Sequence, residues 1–421
     1  MASLREEFDD IVDNRRVTTV FQPVVDLRTT RVIGYEALTR GPRDSSFEQP
    51  MKLFAYAYRV GRFVELDWVC RATAMRAAML AGMPPEVALF VNAEPVSVGV
   101  NCPTDLLDTI VLGVQRLSVV VELTERNLTH DPAGVLHAAS VARANGVGIA
   151  IDDVGADPAS LAMMPLVRPD VIKLDLSLIQ NRPDLLVART VNGVLAEVER
   201  TGATVLAEGI ESPRHAAMAL SMGATLGQGW RYGRPGPLPQ GWSAATGAGG
   251  LTIRHDALSS KTPFEVVTAK RSTRPATRQL LASMSRHLEY RAADPAEPSV
   301  LVASFQEARR FGPAVVRRYT SLAAASVMVA TFGVGMPTEP AEGVRGTPLR
   351  ADDPLAKDWV VVVLGPHFAG ALVARQPRPV SDPPTPQPVG LGEATPYEYA
   401  VTYDRDLVIA AAQSLVRRIE A

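Results

Sequence analysis

Between residues 36 and 228, seven apolar, strand-like runs each end in a polar residue that could bind a metal ion or transfer a proton. A run such as residues 119–121, three consecutive valines, is typical of a strand buried within a sheet. The charged residue after such a run is therefore expected where the strand meets solvent. Seven such ends are most simply placed on one rim, which predicts the metal-bearing mouth of a barrel. The residues at these ends are Glu36, Asn92, Glu122, Asp152 with Asp153, Lys173, Glu208 and Gln228.

The adjacent carboxylates Asp152 and Asp153 have the most specific chemistry of this group. Two neighbouring carboxylates at a strand end repel each other unless a cation or a proton lies between them. In two-metal sites, such carboxylates bridge ions that lie roughly 3.5–4 Å apart. Taken alone, the pair could equally be a solvated loop acid beside a helix N-cap. The acids at the other strand ends favour the metal site.

The donor types indicate which metal would bind. Glu36, Asn92 and Glu122 offer two carboxylates and one amide oxygen, which suit magnesium or manganese rather than zinc or copper. None of the six histidines ends one of these runs. Ligation by oxygen alone is therefore expected.

Three basic or acidic residues near these ends have two interpretations each. Lys173 is expected either to form a structural ion pair with Asp153 or Asp175, or to orient an attacking water or a phosphate beside the metals. Glu208 could be a metal ligand or a general base. Arg40 could bind a phosphate or could be an ordinary surface arginine.

Eight strands can be predicted, and helix-like stretches such as 51–81, 132–145 and 183–201 separate most of them. This alternation is typical of a parallel βα sheet. Only residues 26–31 separate the first two strands, which is too short for a parallel crossover and predicts a hairpin. One strand of an eight-stranded α/β barrel should therefore be antiparallel. The predicted strands are 17–25, 32–36, 87–92, 118–122, 147–153, 171–175, 203–208 and 224–228.

Length and composition indicate a globular chain of two domains. The 421 residues exceed one ordinary core, and 47% are hydrophobic. A net charge of −2 offers no broad basic field, so neither nucleic acid nor a membrane is expected as a partner. Two cysteines, no signal-peptide pattern and no apolar run long enough to span a bilayer predict a cytoplasmic location.

The domain boundaries follow from a change in composition. After Gly233-Arg234-Pro235, a stretch rich in Gly, Pro, Ser and Ala runs to about Ser260. We predict a barrel domain at 1–240, a linker at 241–262 and a smaller α/β module at 263–421. In the module, residues 299–303, 325–331 and 359–364 are strand-like, 277–290 and 405–419 are helix-like, and the Pro-rich 376–396 is expected to be a long loop.

Over roughly residues 10–239, the motifs taken in order make the chain similar to EAL domains. The signature Glu36-Ala37-Leu38 would be weak by itself, but the other segments accompany it in the expected order. These segments are Phe21-Gln22-Pro23, Val91-Asn92, Val121-Glu122-Leu123-Thr124-Glu125, Asp152-Asp153, Lys173-Leu174-Asp175, Ala207-Glu208-Gly209-Ile210-Glu211 and Gln228-Gly229.

The resemblance implies a TIM-like (β/α)8 barrel that acts as a phosphodiesterase, using two Mg²⁺ or Mn²⁺ ions to linearise cyclic di-GMP to pGpG. It also implies a homodimer. By the same resemblance, the residues have four roles. The first metal would be held by Glu36, Asn92, Glu122 and Asp152, and the second by Asp152, Asp153 and Glu208. Catalysis would fall to Glu208, Lys173 and Asp153, and substrate binding or support of the site to Gln22, Arg40, Glu211 and Gln228.

The loop after the two aspartates departs from the family pattern. The family has an aromatic residue, Gly, Thr or Ala, Gly, Tyr, Ser and Ser, whereas residues 154–160 read Val-Gly-Ala-Asp-Pro-Ala-Ser. In the family this loop couples metal binding to dimerisation. Glu94 also replaces the usual Ser after Asn92, and Leu176 replaces an Arg. The candidate ligands are present, while residues expected to support them differ.

Residues from about 270 to 419 resemble the DICT domain, a sensory module found beside bacterial cyclic di-GMP domains. The segments that carry this resemblance are 278–289, 304–311, 359–375 and 403–406. It implies regulation of the barrel by a ligand or partner that the motifs do not identify. Arg309, Arg310, Arg317 and Arg318 could form a nucleic-acid patch, but a helical basic run is more often a solvated or interface surface.

Three functions remain open from the sequence. The first is an active cyclic di-GMP phosphodiesterase regulated by the DICT-like domain. The second, favoured by the altered loop, is a weak or inactive EAL domain that acts as a cyclic di-GMP receptor or protein-interaction module. The third is another metal-dependent barrel enzyme, such as an enolising enzyme with Lys173 as its base, since a fold does not fix its chemistry.

Overall fold

The computed structural model describes residues 3–98, 100–155, 158–242, 251–253, 261–294, 297–376 and 397–419. The chain divides into two compact units. The first comprises Met1–Pro158 with Val167–Asp256, and the second comprises Ala159–Leu166 with Ala257–Ala421. The predicted domain boundaries at 240 and 263 remain predictions, because much of the intervening segment lies outside the described residues.

Eight strands of the first unit close into a barrel in sequence order. Each predicted strand is confirmed with bounds that differ by a few residues, because strand ends are where sequence patterns are weakest. The strands are β1 (Thr18–Asp26), β2 (Val32–Arg40), β3 (Ala88–Asn92), β4 (Ser118–Thr124), β5 (Gly148–Val154), β6 (Val171–Leu174), β7 (Thr204–Ala207) and β8 (Leu226–Gln228).

The predicted antiparallel strand is β1. It pairs antiparallel with β2 through the hairpin and antiparallel with β8 on its other side, whereas the remaining neighbours from β2 to β8 pair in parallel. The fold is therefore a TIM-like α/β barrel with one reversed strand, as predicted.

The inside of the barrel is filled by apolar side chains, and every strand contributes at least one. Such a layer makes the barrel a packed core rather than a pore. The buried residues of this layer are Val24, Ile33, Ala88, Phe90, Val120, Ala150, Val171, Leu206 and Leu226.

Helices of the first unit follow the strands. The predicted helical stretch 51–81 is two helices, since Gly61 at φ +71° interrupts it. The helices in this part of the chain are α1 (Leu4–Asp13), α2 (Pro50–Arg59), α3 (Phe63–Leu80), α4 (Pro95–Val98), α5 (Thr104–Arg116), α6 (Glu125–His130), α7 (Pro132–Ala144), α8 (Met164–Val167), α9 (Leu176–Gln180), α10 (Leu185–Thr201) and α11 (Pro213–Ser221), with Pro158–Ala162 forming a 3₁₀ helix. Most of that 3₁₀ helix and of α8 lies within Ala159–Leu166, which belongs to the second unit.

The second unit is built on one mixed sheet of seven strands in the order β12-β11-β10-β13-β14-β15-β9. The sequence patterns identify β10, β11 and β13, and the other four strands are additions from the structure. The strands are β9 (Arg274–Ala276), β10 (Val300–Glu307), β11 (Met328–Val334), β12 (Val344–Leu349), β13 (Asp358–Leu364), β14 (Ala369–Arg375) and β15 (Tyr397–Thr402).

Helices cover this sheet. Leu288 and Tyr319 pack with Leu301 and Val361 in one hydrophobic core, and the alternate residues of the same strands, such as Val362, are also fully buried. Because side chains alternate across a strand, both faces of the sheet must be covered. The helices are α12 (Pro263–Thr268), α13 (Arg278–Ala292), α14 (Pro313–Ala325) and α15 (Arg405–Val416), with 3₁₀ helices at Ala308–Arg310 and Pro354–Lys357.

Two predictions concern segments that are mostly not described. Residues 377–396 of the expected Pro-rich loop, and residues 243–250 and 254–260 of the expected linker, lie outside the described residues.

Among the described helices, none combines the length and the apolar character that a membrane span requires.

Candidate metal centre

Strand geometry explains why the polar strand-end residues meet. Side chains two positions apart on a strand point to the same face, and most of these polar residues lie two positions beyond a member of the apolar layer. They therefore point into the barrel at its carboxyl-end rim. The pairs are Phe90 and Asn92, Val120 and Glu122, Ala150 and Asp152, Val171 and Lys173, Leu206 and Glu208, and Leu226 and Gln228.

Glu36 and Gln22 reach the same rim through strand register. Glu36 is paired with Phe90 on β3, whose ring belongs to the inner layer, so Glu36 faces inward as well. Gln22 pairs with Glu36 across the hairpin. The side-chain amide of Gln228 donates to Gln22 at 3.1 Å and also to the Glu36 carboxylate. Gln228 therefore holds Glu36, and Gln22 holds Gln228.

The ammonium of Lys173 lies at the centre of the rim. Its Nζ is 2.6 Å from Glu122 Oε1, 2.8 Å from Asp152 Oδ1 and 2.9 Å from Glu208 Oε1, with Glu36 Oε1 at 3.8 Å. Lys173 and Glu122 have no exposed surface. All of these residues were predicted as site residues from the sequence, but the ion pairs of Lys173 with the four acids were not.

The predicted ion pairs of Lys173 with Asp153 or Asp175 are wrong. Asp175 caps α9 instead, and its carboxylate accepts from the Ser177 backbone N–H at 2.8 Å. Asp153 is not among the described acids whose oxygens lie within 4.0 Å of Lys173 Nζ, which are Glu36, Glu122, Asp152 and Glu208. Lys173 therefore pairs with acids from other strands, which adjacency in sequence does not reveal.

The charges of this cluster do not balance. Four carboxylates, those of Glu36, Glu122, Asp152 and Glu208, surround one ammonium, which leaves three negative charges at a largely buried position. Neither oxygen of Glu122 accepts a well-aligned hydrogen bond from the residues described, even though Lys173 is close. Uncompensated buried carboxylates require cations or protons. The donor set therefore fits hard divalent cations.

Two groups of three acids could each hold an ion, and they share Asp152. In the group of Glu36, Glu122 and Asp152, and again in that of Asp152, Asp153 and Glu208, the ligand oxygens lie within 4.8 Å of one another. A shared carboxylate is the feature that brings two cations together. Asp153 adopts φ +58°, an uncommon backbone conformation for a residue with a side chain. Such strain is concentrated at functional sites.

The acids of the cluster are hard to ionise in the protein alone. Burial, with the neighbouring Glu36 and Asp152, raises the pKa of Glu122 well above its ordinary value despite Lys173. Burial raises the pKa of Glu208 to about 8, and Asp152 adds to the effect. Although Asp153 is an exposed residue, removal of its carboxylate from water beside Asp152 raises its pKa to about 6.

Lys173, unlike these acids, is held in its charged form. Burial alone would lower the pKa of its ammonium, but Asp152, Glu122 and Glu208 outweigh that effect and raise the pKa well above the ordinary value. Lys173 is therefore charged in the protein alone.

A cavity of about 410 Å³ opens beside the cluster. Asn92 at the end of β3 and Arg40 at the end of β2 line it, together with the aromatic rings of Phe54 and Tyr58 from α2 and the Glu94 side chain. The spacing of Phe54 and Tyr58, four residues apart on a helix, is a signal that the sequence contains. A ligand with both anionic and aromatic parts would fit these walls.

The remaining predicted site residue, Glu211, lies apart. Glu211 is exposed, and no hydrogen bond or ion pair among the described residues joins its side chain to the cluster. Its backbone N–H donates to His215 Nδ1 at 3.3 Å. The supporting role of Glu211 remains a prediction.

Glu125 is a supporting residue to which the sequence assigned no role. Its buried carboxylate accepts from the Gly155 backbone N–H, at 3.1 Å from each oxygen, and so fastens the start of the loop after Asp153. A Cβ on Gly155, at φ +127°, would lie 2.5 Å from Leu178, so only glycine fits. Ala156 and Asp157, in the part of the loop that departs from the family pattern, lie outside the described residues.

Family models match both parts of the chain. A model described as "EAL domain" matches residues 2–235, and one described as "Sensory domain in DIguanylate Cyclases and Two-component system", the DICT domain, matches residues 264–377. Both resemblances noted in the sequence are confirmed.

The known proteins to which the chain is similar include two bacterial phosphodiesterases. It is 28% identical over 240 residues to the probable cyclic di-GMP phosphodiesterase PdeB of Escherichia coli, covering 56% of this chain and 46% of that protein. It is 26% identical over 231 residues to the cyclic di-GMP phosphodiesterase RocR of Pseudomonas aeruginosa, covering 54% and 59%. The chain thus spans about half the length of these relatives.

A solved structure is also similar. The manganese and cyclic di-GMP complex of Klebsiella pneumoniae BlrP1 is 26% identical, with a TM-score of 0.45 and coverage of 52% of this chain and 56% of that chain.

Replacing the central ammonium tests the charge balance. In Lys173→Met, four carboxylates lose their counter-ion, and we expect the free energy of unfolding in EDTA to fall by about 3–5 kcal/mol. Thermal unfolding with EDTA and with Mn²⁺ measures this, and Mn²⁺ should raise the melting temperature of the variant more than that of the wild type. The control is Lys52→Met at an exposed position of α2, which should leave both values unchanged. An equally stable Lys173→Met protein in EDTA would contradict the charge imbalance.

Metal affinity should depend on pH in a defined direction. Since the pKa values of Asp153 and Glu208 are raised to about 6 and about 8, both are mainly protonated at pH 5.5 and mainly ionised at pH 8.5. A cation must displace these protons, so Mn²⁺ affinity should rise on the order of 10-fold or more across this range. Calorimetry in buffers of different ionisation enthalpy should detect proton release near pH 7. In Glu208→Gln this release should shrink, and pH-independent affinity in the wild type would refute the prediction.

Proposed function

The chain belongs to the EAL domain family, whose model matches residues 2–235, and we therefore propose that its barrel hydrolyses cyclic di-GMP to linear pGpG with two divalent cations. The observation that carries this proposal is the pair of acidic triads that share Asp152 around a buried lysine. That arrangement suits cleavage of a phosphodiester, because both the attacking and the leaving oxygen carry negative charge that nearby cations stabilise.

The named relatives support the substrate. PdeB is named as a probable cyclic di-GMP phosphodiesterase and RocR as a cyclic di-GMP phosphodiesterase. The match covers only part of each relative, so the activity is carried to this chain as a proposal.

The residues of the rim fit two cations, for which we propose Mg²⁺ or Mn²⁺ because every candidate donor is an oxygen. When bound, two such ions would promote ionisation of a water nucleophile and withdraw charge from the phosphate. Asp152 belongs to both ligand sets. The first set is Glu36, Asn92, Glu122 and Asp152, and the second is Asp152, Asp153 and Glu208.

Glu208 and Lys173 have separate roles in the proposed reaction. Glu208 is partly exposed and lies 2.9 Å from the Lys173 ammonium, a position from which it would accept the proton of the attacking water as general base. Lys173 keeps its proton. It would orient that water by donating a hydrogen bond and would hold Glu122, Asp152 and Glu208 in place.

The cavity beside the cluster would bind the rest of the substrate. Arg40 would pair with a phosphate, and the rings of Phe54 and Tyr58 offer faces against which a guanine base can stack. Gln22 and Gln228 would act indirectly, since Gln228 holds Glu36 and Gln22 holds Gln228. Glu211 would support the site from the segment after β7.

Three wider parts of the proposal do not follow from the cluster. We propose that the chain acts as a homodimer, that it works in the cytoplasm, and that the DICT domain matched at residues 264–377 regulates turnover.

Turnover of cyclic di-GMP by the purified full chain tests the proposal. With Mn²⁺ or Mg²⁺ present, chromatography should show conversion to pGpG, and EDTA should stop it. Glu208→Gln removes the general base, so we expect a loss on the order of 100-fold or more, while calorimetry should still detect bound nucleotide. The matched control is Glu199→Gln, at an exposed position of α10, which should keep full activity.

The possible results separate the three functions. Nucleotide binding without hydrolysis under either metal would overturn the enzyme and leave the receptor. If cyclic di-GMP neither binds nor changes the melting temperature, both the phosphodiesterase and the receptor fail.

A further inference from the structure

The second unit contains a cavity that none of the metal-centre residues lines. It has a volume of about 390 Å³ and lies among α13, β10, α14 and β13. Small-molecule sites usually have volumes of about 300–1,000 Å³, so one small organic ligand would fit. All of its lining residues fall between 278 and 361, within the second unit.

Two aromatic rings form part of the wall. The indole N–H of Trp359 donates to the Ser285 hydroxyl at 3.0 Å, which fixes the orientation of the ring. Phe305 makes edge contacts with Phe311 and Tyr319, at centroid distances of 5.0 and 5.4 Å. Rings held in this way offer apolar surfaces for a planar ligand at little cost in side-chain freedom.

The lining carries an excess of positive charge. Four arginines and one acid, Glu289, face the cavity, which gives a net charge of +3 in a chain whose total is −2. Glu289 is already engaged, because Arg318 Nε lies 2.7 Å from one of its oxygens and the Tyr319 hydroxyl donates to the other at 2.9 Å. No described carboxylate forms an ion pair with the other three, which are Arg278, Arg286 and Arg310.

The backbone next to Ser304 is strained. The pairing of β10 with β11 shifts between Ser304 and Glu307, and Gln306 within this bulge adopts φ +65°. The amide nitrogen of Gln306 donates to the Lys357 carbonyl at 2.9 Å, and its oxygen accepts from Arg310. The bulge thus places the neutral side chain of Gln306 beside the guanidinium of Arg310, which lines the cavity. Bulges of this kind are common beside functional sites.

We propose that this cavity is the ligand site of the second unit and that it binds a small anion with a planar aromatic ring. A carboxylate or phosphate group of the ligand would lie against Arg278, Arg286 and Arg310. The ring would pack on Phe305 and Trp359. The proposal stands apart from the phosphodiesterase, because it rests only on residues of the second unit.

Calorimetry on the full chain tests the proposal with anions and their neutral counterparts. The probes are AMP with adenosine, GMP with guanosine, indole-3-acetate with indole-3-acetamide, and salicylate with salicylamide, all in EDTA so that the metal centre does not hold the anion. At least one anion should bind in a 1:1 ratio with Kd below about 1 mM, at least 10-fold more tightly than its neutral counterpart.

Two variants locate the binding, and neither changes a fully buried residue. Arg310→Gln removes one guanidinium, and Ala282→Phe fills the cavity from a partly exposed position on α13. Each should weaken the bound anion at least 10-fold. The matched control is Arg350→Gln, an exposed arginine paired with Asp352, which should bind normally.

Any one of three results would overturn the proposal. The first is that no anion of the panel binds, and the second is that the neutral counterparts bind as tightly as the anions. The third is that either cavity variant binds the anion as tightly as the wild type does. Turnover of cyclic di-GMP is not part of this test, so its loss would leave the result unaffected.

Discussion

The buried ammonium of Lys173 is the interaction on which the rim of the barrel depends. Its contacts of 2.6–2.9 Å to Glu122, Asp152 and Glu208 draw side chains from four separate strand ends to one point. One ammonium cannot neutralise so many acids, and burial, together with the remaining negative charge, raises the pKa values of Glu122, Asp153 and Glu208. The same imbalance that makes the isolated cluster costly makes it a strong site for cations.

The barrel supplies the geometry that this cluster requires. An inner layer of apolar residues from all eight strands fills the barrel, and the polar residues follow it at a spacing of two. The reversed β1 adds Gln22, which holds Gln228, and Gln228 in turn holds Glu36. Function therefore depends on the fold through strand register. A shift of one residue in β4 or β6 would turn Glu122 or Lys173 out of the barrel.

Much of this arrangement could be predicted from sequence, and the exceptions have physical reasons. Apolar runs that end in single polar residues are local, so the strands and the residues Glu36, Glu122 and Asp152 were identifiable. The six-residue gap before Val32 was enough to predict the reversed strand. The partners of Lys173 were not predicted correctly, because they come from strands distant in sequence. In the second unit, β9 has only three residues, and both β9 and β12 contain Pro, so their pairing depends on neighbours rather than on their own pattern.

The central claim is that the rim holds two cations joined by Asp152. Anomalous X-ray scattering at the manganese edge, from crystals of the protein soaked with Mn²⁺ at pH 8.5, tests it most directly. Two peaks are expected, separated by roughly 3.5–4 Å, with Asp152 between them, Glu36 and Glu122 at one ion, and Asp153 and Glu208 at the other. A single peak, or ions bound only outside the ring of acids around Lys173, would contradict the claim.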